Sequence, residues 1–124
     1  MNQRTTLFSA AALGCLAVIL GASGAHALKP MLTQLGSMST FELANRYHFY
    51  HTLALLGCGI LMNSFSVKLL RYSALCLLLG TVLFSGSLYA LSFYKLSIIG
   101  PVTPLGGVFL ILGWVLLFLG IAKK

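Results

Sequence analysis

The residues best equipped for chemistry are a few polar side chains in an otherwise greasy chain. His48 and His51 stand three apart in Tyr47-His48-Phe49-Tyr50-His51, which puts both on one helical face. With His26 as a third imidazole, the set invites metal, haem or quinone ligation. Metal centres, however, draw on several Cys, His or carboxylate ligands at set spacings, and nothing of that kind accompanies the pair. The plainer expectation is that these histidines hydrogen-bond to neighbouring backbone and hydroxyl groups and hold helix ends together. His51, expected about one turn inside a membrane span, ranks first, because an unpaired imidazole there is expensive.

Ser85, Ser87 and Tyr89 follow in Phe84-Ser85-Gly86-Ser87-Leu88-Tyr89, where the hydroxyls can bond back to carbonyls or across to another helix. Thr103-Pro104 reads as a helix start, with Thr103 as the cap. Trp114 needs a partner for its indole N–H and is expected to point inward, towards Thr81 or Ser85. Together His26, His48, His51, Ser85, Ser87, Tyr89, Thr103 and Trp114 form the candidate functional or helix-bridging cluster. The chain has no nucleophile–base–acid set, phosphate-binding loop or metallohydrolase pair, so no catalytic, cofactor or metal-binding residue is assigned and no enzyme is expected. No group that can be charged is expected at the bilayer midplane, which disfavours an ion path.

The elements that must position these groups follow from composition. The 124 residues are 59% hydrophobic and 7% charged, with Glu42 the single acid against eight Lys and Arg. A soluble domain carries about a quarter charged residues. The positive charges are scattered rather than striped, which excludes a nucleic-acid binder. Continuous Leu-, Ala- and Gly-rich runs of about 20 residues instead predict membrane-spanning helices. The expected fold is an all-α membrane protein, one domain over residues 1–124. It forms a compact bundle of four transmembrane helices at about 6–27, 46–66, 71–92 and 102–122. Residues 29–45 form a loop or interfacial segment. Arg4, Lys68, Arg71, Lys123 and Lys124 flank one side, against Lys29, Arg46 and Lys95 on the other. That bias places both termini in the cytoplasm. It also gathers the polar cluster in the outer half of the membrane and leaves the inner half hydrocarbon.

Ser39 and Glu42 fit a capping box for the second helix, with Glu42 then pairing with Arg46. Ala17, Gly21 and Ala25 on the first helix, and Gly106, Gly113 and Gly120 on the fourth, allow close helix contact. Cys15, Cys58 and Cys76 lie inside spans and read as small hydrophobes. Residues 1–27 also match a secretory signal pattern ending in Ala25-His26-Ala27.

Four segments carry a resemblance: Gly21-Ala22-Ser23-Gly24-Ala25-His26-Ala27-Leu28, the Tyr47–Ala54 stretch, Gly80–Tyr89, and Val102–Gly107 with Gly113-Trp114. In order and spacing they resemble the YgdD-like bacterial inner-membrane family, the domain of unknown function 423, related to eukaryotic transmembrane protein 256. Ser23 stands where that family usually has Phe. The resemblance implies a multi-pass protein of the bacterial inner (cytoplasmic) membrane that retains its first helix; it implies no activity. The expected role is a non-enzymatic packing or assembly partner of another membrane component, with the lipid bilayer and another membrane protein or a second copy as partners. The alternative is a binder of a lipid, quinone or haem-type ligand near His26, His51 and Tyr89.

Overall fold

The computed structural model describes residues 1–94 and 97–123. Lys95 and Lys124, two of the charges used to orient the chain, lie outside the described residues. Five α-helices form: α1 (Gln3–Ala25), α2 (Lys29–Leu35), α3 (Met38–Leu61), α4 (Val67–Tyr94) and α5 (Val102–Lys123). A single 3-10 turn, Ser97–Ile99, precedes α5, and the described residues contain no strand.

Local signals set the helix ends. The Asn2 side chain caps α1 by accepting from the Thr5 N–H at 2.8 Å. Pro30 opens the short α2, and Gly36, at φ 68°, closes it in the left-handed region that glycine enters without penalty. The interfacial segment expected over residues 29–45 is therefore divided: its first part is α2, and its last eight residues belong to α3. The capping box does not form, because Ser39 lies inside the first turn of α3 and Ser37 takes the cap position. The Ser37 hydroxyl is drawn away to the Ser92 carbonyl at 2.6 Å, which fixes the start of α3 beside the end of α4. Among the described residues, Glu42 and Arg46 form no ion pair.

The long helices alternate in direction. Gln3 reaches the Gly59 carbonyl while Gly24 abuts Phe41, so α1 and α3 are antiparallel. Ser37 meets Ser92 while Cys58 meets the Leu70 carbonyl, so α3 and α4 are antiparallel as well. In α4 and α5, Gly106 abuts Phe84 and Gly120 abuts Leu70, giving the same relation. Both described chain ends thus lie at one pole, and α2 with the 3-10 turn lies at the other.

Close contact follows chain order, α1 on α3, α3 on α4 and α4 on α5, with α1 touching α4 only marginally. The expected compact bundle is in fact an opened row. Among the described residues, three segments are long and apolar enough to cross a bilayer: Gln3–Ala25, Val67–Tyr94 and Ser97–Lys123. The fourth expected span is absent from that set because Glu42, Asn45, Arg46, His48 and His51 dilute the apolarity of α3. Yet α3 has 24 residues, about 36 Å at helical rise, and runs alongside α4 from end to end.

Small residues set the helix spacing. A Cβ on Gly106 would run into the Phe84 backbone, and one on Gly80 would sit 2.8 Å from the Leu110 nitrogen. Gly113 and Gly120 face Leu77 and Leu70, so the whole glycine stripe of α5 is consumed against α4. On α1 the buried small residues are Ala10, Ala17 and Gly24, seven apart, and Ala25 is exposed. Backbone cannot yield as a side-chain tip can. Gly106→Ala should therefore lower stability by about 1–3 kcal/mol. Gly57→Ala, which meets nothing within 4 Å, should leave the thermal midpoint in detergent nearly unchanged.

Candidate functional site

The polar face of α3 organises the site. Asn45, His48 and Thr52 recur at helical spacing and turn inward, with His51 beside them. Asn45 Nδ2 donates to the Ala17 carbonyl of α1 and to the Tyr89 hydroxyl of α4, each at 3.0 Å. Tyr89 Oη also lies 3.0 Å from His48 Nδ1. Since the hydroxyl accepts from Asn45, its own proton is free for His48 Nδ1. The chain Asn45 to Tyr89 to His48 then runs in one direction and places the imidazole hydrogen on Nε2. That nitrogen is buried and has no hydrogen-bond partner among the described residues. Phe41 packs edge-on against the Tyr89 ring at 5.2 Å and screens the set.

His51 forms a second node. Its Nδ1 lies 2.9 Å from the Tyr47 carbonyl, an acceptor, so Nδ1 carries the hydrogen. Its Nε2 then accepts from the Trp114 indole N–H at 3.0 Å. Both nitrogens are occupied and the ring is neutral in this arrangement. It has no lone pair left for a metal, and among the described residues no three His, Cys, Asp or Glu side chains gather as metal ligands. Tyr47 stacks on His51 at 5.8 Å and leans on Phe84 at 5.0 Å.

The remaining expected residues separate. Ser87 donates to the Phe84 carbonyl at 2.8 Å, so it accepts from the Thr103 hydroxyl and ties α4 to α5. Thr103 lies inside α5, whose first residue is Val102, so it bridges helices rather than capping one. Among the described residues, the buried Ser85 hydroxyl finds no partner, nor do Thr52 Oγ1 and His48 Nε2. His26 is the exposed C-cap of α1 and joins neither node.

One expectation changes on this geometry. Trp114 binds His51 Nε2 rather than Thr81 or Ser85, and the Thr81 hydroxyl donates to the Leu77 carbonyl of its own helix at 2.6 Å. Trp114 lies about 18 Å along α5, near the middle of that helix, and His51 meets it there. Polar contacts also occur away from the expected cluster: Ser73 donates to the Gly113 carbonyl at 2.7 Å, and Cys58 to the Leu70 carbonyl at 3.2 Å. Asn45, Tyr47 and Phe41 were missed. The recurrence of Asn45, His48 and Thr52 at intervals of three and four residues was the signal that could have found Asn45.

Two cavities flank α3. One, of about 590 Å³, is lined by Tyr47, Tyr50, His51, Phe84, Gly107, Leu110, Ile111 and Trp114. The other, of about 660 Å³, lies between α1, α2 and the first half of α3.

An all-helical chain with several apolar helices tied by buried side-chain hydrogen bonds is a multi-pass membrane protein. It belongs to the family described as "Protein of unknown function (DUF423)", whose model matches residues 20–107. The UPF0382 inner membrane protein YgdD of Escherichia coli K12 is 40% identical over 120 residues, covering 97% of this chain and 91% of that protein. The UPF0382 membrane protein SSP2132 of Staphylococcus saprophyticus is 42% identical over 108 residues, 87% and 88% of the two chains. No solved structure matches the chain. The resemblance read from the sequence is thereby established, as is location in the bacterial inner membrane.

Tyr89→Phe removes a hydroxyl that serves two interhelical partners. Such bonds average about 0.6 kcal/mol in membranes and reach ~1.7, so the expected loss is about 1–3 kcal/mol. Thr103→Ala, which frees a single contact, should cost less. Thermal unfolding of both variants in detergent, followed by circular dichroism, checks the order.

Proposed function

We propose that the protein is a non-enzymatic binder of a planar, lipid-soluble ring of the quinone type, held in the aromatic groove beside Trp114. What supports this reading most directly is the groove itself. Tyr47, Tyr50, Phe84 and Trp114 give it flat apolar walls, and Tyr47 and Tyr50 bring hydroxyl donors suited to carbonyl oxygens. A haem-type ligand is disfavoured because both His51 nitrogens are occupied. The role as an assembly partner loses its main support, since the small faces that motivated it are used between α1 and α3 and between α4 and α5.

The topology belongs to the same proposal: α3 crosses as the fourth span, and both termini are cytoplasmic. The antiparallel row supports it, with Arg4, Lys68, Arg71 and Lys123 at the pole of the chain ends and Lys29 and Arg46 towards the other. The inward-facing polar residues of α3 explain how a span of low mean hydropathy survives in lipid. Reporters inserted after Gln34 and after Asn63 should read opposite sides of the membrane. The same side for both would remove α3 from the set of spans.

Trp114 is the one tryptophan of the chain and serves as the probe of the groove. A short-chain ubiquinone analogue titrated into the purified protein should quench its fluorescence saturably. Gly107→Leu, whose added atoms enter the groove beside Phe84, should weaken that saturation. Quenching that rises linearly and ignores Gly107→Leu would be collisional and would refute the reading.

A further inference from the structure

The second cavity carries a different chemistry. Gly21, Gly24 and Ala25 of α1 form one wall, Lys29 and Thr33 of α2 a second, and the Met38–Tyr50 stretch of α3 the third. Gly21 and Gly24 keep the α1 wall thin, since a Cβ at either would strike Asn45 or Phe41. Two cations, Lys29 and Arg46, line this space together with Glu42, the only acid in the chain. Among the described residues, none of the three is in an ion pair. Phe49 and Tyr50 continue the lining along α3 as an apolar surface.

Two unpaired cations, one unpaired carboxylate and an adjoining apolar wall match a head group that bears a phosphate and an ammonium on an acyl-chain lipid. We infer that this cavity binds a phospholipid with a primary-ammonium head group. Its phosphate faces Lys29 and Arg46, its ammonium donates to Glu42, and an acyl chain lies along Phe49 and Tyr50. Charge complementarity selects this occupant. A purely anionic head group would meet Glu42 unfavourably, and a quaternary ammonium has no N–H to donate to it. The cavity lies across α3 from the aromatic groove, and the inference does not rest on occupancy of that groove.

The test is native mass spectrometry of the full chain in micelles holding equal amounts of phosphatidylethanolamine, phosphatidylglycerol and phosphatidylcholine with identical acyl chains. Phosphatidylethanolamine should be retained over the other two by about fivefold, the scale of one partly exposed ion pair. E42Q, a near-isosteric change at an exposed position, should abolish the preference over phosphatidylglycerol. K29Q combined with R46Q should reduce retention of both lipids. Equal retention of the three lipids by the parent protein, or an unchanged preference in E42Q, overturns the inference. Displacement of the lipid by soluble phosphoethanolamine would also overturn it, since the head group alone would then be the ligand. Trp114 quenching by the quinone analogue should be the same in E42Q, so failure here is distinguishable from failure of the groove.

Discussion

In hydrocarbon a stray hydrogen-bonding group has no water to fall back on, and this architecture is organised around that constraint. Each neighbouring pair of long helices is joined by at least one side chain that finds its partner across the gap. Asn45 reaches the Ala17 carbonyl and Tyr89, Ser37 reaches the Ser92 carbonyl, and Ser73 reaches the Gly113 carbonyl. The His51–Trp114 bond goes further and links α3 to α5, which are not neighbours in the row. Lipid supplies no hydrophobic push between helices, so these bonds and close packing must hold the row in register.

Packing and bonding reinforce one another. The glycines of α5 bring its backbone against α4, and only at that separation does Ser73 reach the Gly113 carbonyl. On the other flank, Gly21 and Gly24 leave room for Asn45 and Phe41, which in turn support Tyr89. A methyl group added at such a point acts twice, by collision and by pulling a donor from its acceptor. Among the described residues, His48 Nε2, Thr52 Oγ1 and Ser85 Oγ are buried without a partner, and His48 itself belongs to a polar node.

An opened row differs functionally from a closed ring of helices. A ring hides its interior, whereas a row presents grooves on both flanks of its central helices, reachable from lipid. The aromatic groove and the charged cavity lie on either side of α3, and Tyr50 borders both. Their linings differ for a reason visible in the helix: the early, polar turns of α3 give Glu42 and Arg46 to one, and its middle turns give Tyr47 and His51 to the other.

Much of this was legible in the residues alone. Continuous apolar runs have only one stable form in lipid, so they determined helices and a membrane setting. The Gly106, Gly113 and Gly120 spacing identified a contact face, because small residues seven apart recur on one side of a helix. Partner choice was not legible. Trp114 needed an acceptor, yet nothing in the chain distinguished His51 from Thr81 or Ser85 until the packing of α3 against α5 brought His51 Nε2 within reach. Asn45 looked ordinary until folding brought it between Ala17 and Tyr89. Periodicity is a property of one helix and is written in sequence. The pairing of polar groups depends on distances between helices, which only the tertiary structure decides.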